Sequence, residues 1–270
     1  MTMKKPPVFA LTVALLALSL ATSALAQPKD AKSDAGKRCF NGYAYTLQGD
    51  QYRYTEHHEQ QRSNGHITRW DVAYIGANGK QIAAKHLQFG TSSTVPTYTL
   101  EIAADGYREG IRRDGDQWLM FRQNNADASE QTKAFTIEAP MAADSGFDML
   151  VRENFDKLSA GNTVAFKFAA AGRQAVIKLR ASKTGSTEFE GKKAVVFDAE
   201  LDMFLVNFFV DSLKLTYGPD SKRLLEYRGI GNMHNDAGEV YPVRVAYASE
   251  MPEVAEKAGA PAPACGSTGE

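Results

Sequence analysis

The sequence predicts a mainly β protein: one open antiparallel sheet, a half-barrel, with an amphipathic helix across a face. Three observations predict it. Short runs rich in Val, Ile, Tyr, Phe and Trp recur on both sides of the middle of the chain, separated in the first half by Asn-Gly and Asp-Gly turns. One stretch, residues 145–161, instead carries apolar residues at helical spacing. No regular alternation of strand and helix occurs, so successive strands pair as a meander rather than as βαβ units. A lone helix between two sets of strands has only the sheet to receive its apolar stripe.

The first 26 residues read as a signal peptide. Lys4 and Lys5 form a positive start, residues 8–21 an apolar run, and Ala24-Leu25-Ala26 a small-x-small cleavage site before Gln27. The run of about 14 residues is short of the ~20 that a membrane-spanning helix needs. The expectation is an exported chain, periplasmic in a Gram-negative source, with no transmembrane span after signal removal. Residues 27–38 are polar and without periodicity, a flexible leader. Residues 39–248 form a single β-rich domain, and residues 249–270, rich in Ala, Gly and Pro towards the end, a disordered tail.

Within the domain the strands follow from alternation and turns. Tyr43, Tyr45 and Leu47 alternate with small or polar residues, and residues 51–56 follow a turn at Gly49-Asp50. Asn64-Gly65 and Asn78-Gly79 are hairpin signals that bracket Trp70, Val72 and Tyr74 on one strand face. Residues 81–89, 97–102, 107–112 and 117–121 continue the meander, with turns at Asp105-Gly106 and Asp114-Gly115. Residues 133–138 lead to the helix.

The helix has a stripe of Phe147, Leu150, Val151, Phe155 and Leu158, with Asp148, Arg152, Glu153, Asp156 and Lys157 on the remaining surface. Ser145 is placed to cap its start, with Asp148 near the positive end of the dipole. Gly161 supplies a left-handed C-terminal cap. Strands resume at 163–169, 173–181 and 187–190. From Ala194 to Tyr217 the chain has no Gly or Pro, too long for one strand. Leu201, Phe204, Leu205, Phe208 and Phe209 recur at helical spacing, so a second short helix near 202–210 is the favoured break, and two strands meeting at a bend the alternative. Residues 214–217, 223–229 and 239–248 complete the sheet.

Charge and chemistry exclude more than they include. Residues 1–26 hold two of the 31 basic residues and none of the 32 acidic ones, so the remainder carries −3 without any basic run. That argues against a nucleic-acid partner. His57 and His58 are adjacent and point to opposite faces of a strand, the remaining histidines are scattered, and solvated strand-end positions account for them. No metal site, nucleophile elbow or phosphate loop is present, so no catalytic residue and no cofactor is expected. Cys39 and Cys265 can form a bridge in an oxidising compartment, worth roughly 5 kcal/mol at best, although Cys265 lies in the tail.

The segment Asp144-Ser145-Gly146-Phe147-Asp148, continuing through Val151–Asp156, and the later Leu215-Thr216-Tyr217-Gly218 and 223–230 resemble an uncharacterised group of exported proteobacterial proteins. The likeness covers about residues 40–248. The order of elements is also similar to the lipoprotein-localisation factors and related periplasmic half-barrels, in which helices cover the concave face of an unclosed sheet. This resemblance implies a fold and no activity.

The functional expectation is a non-enzymatic carrier for an apolar or lipid-like ligand, with Phe147, Leu150, Val151, Phe155 and Leu158 as ligand-binding residues on a helical lid. The alternative is an envelope interaction module that offers a free sheet edge to a partner protein. An unfilled apolar interior separates the first from the second.

Overall fold

A computed structural model describes residues 36–48, 50–202 and 213–262, together with the first two. The signal peptide, most of the leader, the favoured helix at 202–210 and Cys265 with its expected bridge to Cys39 lie wholly or largely outside the described residues.

The fold is one 15-stranded open sheet in which every neighbouring pair but one is antiparallel. Strand β1 (Gly36–Thr46) sits at the centre, between β2 (Tyr52–Ser63) and β15 (Val240–Ala246). From β2 the chain walks outward through β3 (His66–Gly76), β4 (Gln81–Gln88), β5 (Thr97–Ile102), β6 (Tyr107–Asp114), β7 (Gln117–Gln123) and β8 (Gln131–Phe135). It then passes to the opposite edge, β9 (Met141–Ala142), which pairs in parallel with β10 (Val164–Ala170). From there β11 (Ala175–Phe189), β12 (Lys192–Leu201), β13 (Leu213–Tyr217) and β14 (Leu224–His234) lead back to β15. The turns behave as their sequences require: Gly65, Gly79, Gly106 and Gly115 all have positive φ.

The two edges of this sheet are close together. Only residues 136–140 join β8 to β9, and a fully extended chain of that length reaches about 20 Å. A sheet this wide curls, and here the curl brings its ends face to face without pairing them. A single 3-10 turn, Ala171–Arg173, fills the gap from the β10 side: Arg122 Nη1 donates to Gly172 O at 2.8 Å, and Gln174 Nε2 to Gln131 O at 2.8 Å. Ala169 and Ala171 accordingly share one buried cluster with Tyr98, Ile111 and Met120 from the other half.

The helix forms where expected but in two pieces, α1 (Gly146–Glu153) and α2 (Phe155–Ser159). The break is at Asn154, whose backbone leaves the helical region (φ −104°, ψ 12°) while its side-chain amide donates to Leu150 O at 2.9 Å. Asn competes for backbone partners in just this way, which the apolar stripe does not reveal. The expected start is also corrected. Ser145 makes no capping bond; its amide and hydroxyl both donate to Asp144 Oδ1, at 2.6 and 2.8 Å. Gly161 ends the unit in the left-handed region, φ +89°.

Two further expectations change. The leader joins the fold early, since β1 begins at Gly36. Part of the tail is also structured: α3 (Glu253–Lys257) lays Ala255, fully buried, on Tyr43 and Tyr52, while Asn41 Nδ2 donates to Pro261 O at 2.8 Å. Composition called this segment a tail, but small residues are what a close approach to an aromatic patch requires. In the second half the strands read as 173–181 and 187–190 are one strand, β11, with a bulge between Lys183 and Gly185. The long run from Ala194 is broken as expected, with β12 ending at Leu201 and β13 beginning at Leu213.

Candidate functional site

The curled sheet forms a partly open cavity of about 1360 Å³ whose two halves differ in chemistry. On β10 to β14 an apolar row lines it, Phe168, Ile177, Leu179, Leu213, Leu215 and Leu224, with Lys192, Lys193 and Glu200 of β12 also on the lining. Most of these are only half-buried, because they face the cavity rather than another side chain. On β2 to β6 the inward positions are aromatic and charged.

The polar half is built by strand alternation. Tyr54, Glu56 and His58 occupy the inward phase of β2, and Lys85 the same phase as Ala83 and Leu87 in β4. His58, 5% exposed, accepts from Trp70 Nε1 on Nδ1 at 3.0 Å and lies 3.1 Å from Glu56 Oε2 through Nε2. Trp70 can only donate, so Nδ1 is the acceptor and the proton sits on Nε2. Burial lowers the His58 pKa and Glu56 opposes that. Phe40 stacks on the same ring at 4.6 Å. The expectation of solvated histidines is thus corrected for His58: both its nitrogens are spent inside the protein. His57, on the opposite face, bonds Asn41 Oδ1 at 2.8 Å.

Lys85 and Asp144 form an ion pair at 2.8 Å, both nearly sealed from solvent. Burial alone would depress the lysine, but the Asp144 charge, with Tyr74 and Glu56, more than offsets it and its pKa lies above the usual value. Asp144 sits at φ +44° immediately before α1, so this pair fastens the helix entry to the first half of the sheet. Glu109 accepts from Tyr107 Oη at 2.6 Å and Tyr98 Oη at 3.2 Å. Burial, then the nearby Asp144 charge, raises its pKa, while the two hydroxyls and Lys85 pull the other way. Tyr54 Oη, which lines the same cavity, has no hydrogen-bond partner among the described residues.

The five residues expected to bind ligand are all buried, between 0% and 8% exposed. Leu150, Val151, Phe155 and Leu158 do not line the cavity; they join one core cluster with Phe166, Phe197, Leu215 and Tyr217. Phe155 packs edge-on to Phe197 at 5.4 Å and to Tyr217 at 6.0 Å. Phe147 alone reaches the cavity, stacked 5.3 Å from Phe166. Asp148 on the same helix accepts from Tyr217 Oη at 2.9 Å and from Arg152, Nη2 at 2.9 Å and Nε at 3.1 Å.

The cavity residues that sequence reasoning passed over carried a readable signal: charged or hydroxylated side chains in the buried phase of a strand. Lys85 between Ala83 and Leu87 is the clearest case. Which half of the sheet they would face needed the topology.

No family model matches the sequence, and no curated protein matches it. Among solved structures the chain is similar to a β-barrel-like protein of the domain of unknown function DUF1849 from Brucella abortus. The identity is 7%, the match covers 78% of this chain and 94% of that one, and the TM-score is 0.42.

Proposed function

We propose that this chain is an exported, non-enzymatic carrier that holds an apolar or lipid-like ligand inside the curled sheet. The observation that carries this reading is the cavity. At about 1360 Å³ it exceeds the ~300–1,000 Å³ of common small-molecule sites. A row of partly exposed leucines and Phe168 along one wall costs free energy in water and is offset when hydrocarbon covers it. The polar groups support binding rather than turnover. His58 has no ring nitrogen left to take a proton, and Lys85 is held as the charged half of a pair, so neither is poised as a base or nucleophile.

The interaction-module reading has less behind it. The free edge β8 is five residues long, exposed and carries Lys133, features that discourage rather than invite strand addition. Among the described residues no helix is long and apolar enough to cross a membrane.

Native mass spectrometry of protein isolated from the cell envelope tests the proposal. The expected species starts at Gln27 and carries a lipid-sized adduct. A chain that starts at Met1 removes export, and a chain recovered bare that takes up no lipid removes the carrier role.

A further inference from the structure

Besides Arg173 on the 3-10 turn, three arginines line the cavity from separate elements: Arg38 on β1, Arg152 on α1 and Arg223 at the entry to β14. Two of them are chemically unspent. Arg152 is committed to Asp148, whereas Arg38 rests its guanidinium on the Phe40 ring at 4.8 Å and Arg223 has no acidic partner among the described residues. The guanidinium of Arg38 is pushed down to about 10, first by burial and then by repulsion from Arg223, Arg152 and Arg62, with Asp148 as the opposing carboxylate. Arg223 is lowered likewise by burial and by Arg152. Around Arg38 the cations outnumber the one opposing carboxylate, Asp148, which leaves a net positive potential beside the apolar wall.

Building on the carrier reading, we infer that the ligand is an anionic amphiphile, its phosphate or carboxylate held by Arg38 and Arg223 and its hydrocarbon lying against Leu213, Leu215 and Leu224. Arginine suits the task because its planar fork grips such oxyanions with two donors at once. Arg152, neutralised by Asp148, positions the rim rather than the headgroup. Of the other acids on the lining, Glu190 Oε1 accepts from the Ser249 amide at 2.9 Å, Glu56 serves His58 and Tyr247, and Glu200 pairs with Arg180, while Asp220 lies on the turn just before Arg223.

The test compares binding of oleoyl lysophosphatidylglycerol, mono-oleoylglycerol and inorganic phosphate to the wild-type chain, to Arg223→Gln and to Arg38→Gln/Arg223→Gln. Calorimetry reads affinity, and thermal unfolding checks that the variants fold. The lysophospholipid should bind roughly ten- to a hundredfold more tightly than the neutral glyceride. That preference should shrink in Arg223→Gln and vanish in the double variant, with affinity for the glyceride unchanged. Equal binding of the two lipids, or a preference that survives both substitutions, overturns the headgroup site and leaves the carrier intact. Binding of neither lipid overturns the carrier itself. Phosphate bound as tightly as the lysophospholipid overturns the amphiphile in favour of a free-anion site.

Discussion

At the scale of single residues, the interior is governed by charged groups in the buried phase of strands. Glu109 is the one whose consequence can be read from pH. Its folded-state pKa is raised above 4.5, chiefly by burial, so the folded protein holds its proton more firmly than the unfolded chain. Below 4.5 both states are protonated and the group is neutral with respect to stability. As pH rises through the window from 4.5 to the folded value, the unfolded state loses the proton first, and stability falls. Glu109→Gln removes the titration while keeping an acceptor for Tyr98 and Tyr107. The urea midpoint of the variant should therefore match wild type near pH 4 and exceed it at pH 7. A midpoint gap that is constant with pH would show that Glu109 does not titrate differently on folding.

At the scale of elements, the helix pair α1–α2 is chiefly a packed layer on β10 to β13, and only Phe147, Asp148 and Arg152 of α1 reach the cavity. Phe155, 3% exposed, is enclosed by Phe197 and Tyr217 and covered by Lys222 Nζ at 5.5 Å from its ring. Phe155→Ala should cost about 3–5 kcal/mol, read as a lower denaturant midpoint at unchanged slope. Because Phe155 does not line the cavity, the same variant should leave lipid affinity unaltered wherever it is still folded. The stripe was legible from spacing. Its break at Asn154 and the use of Ser145 to bind Asp144 were not, since both depend on side chains choosing between local and distant partners.

At the scale of the whole molecule, the unpaired edges of the sheet are held by the turn at Ala171–Arg173 and the short link over 136–140. Gly172 matters here for its missing side chain. A Cβ at that position would lie 2.0 Å from Glu109 Oε2 and 3.0 Å from Tyr107 Oη. Gly172→Ala must push Glu109 off its two tyrosine hydroxyls or lift the turn from β6 and β7. The expected loss is about 1–3 kcal/mol, with faster hydrogen exchange at residues 171–174 than in the central strands β1 and β2. An unchanged thermal midpoint would mean that this turn does not hold the seam.

The sequence by itself determined the class of structure. Alternation marked most strands to within a few residues, Asn-Gly and Asp-Gly placed the hairpins, and one stripe at helical spacing placed the helix, because each of these signals is local to a few consecutive residues. It also determined that Lys85, Glu56 and His58 share the phase of buried neighbours, although that pattern alone does not distinguish a core position from a cavity wall. The tertiary structure decided the rest. Only the curl of a 15-stranded sheet sets the charged half opposite the apolar half, brings Gly172 onto Glu109, and gathers Arg38, Arg152 and Arg223 from positions far apart in the chain. Those encounters depend on accumulated twist and on which edge meets which, and neither is a property of any short stretch of residues.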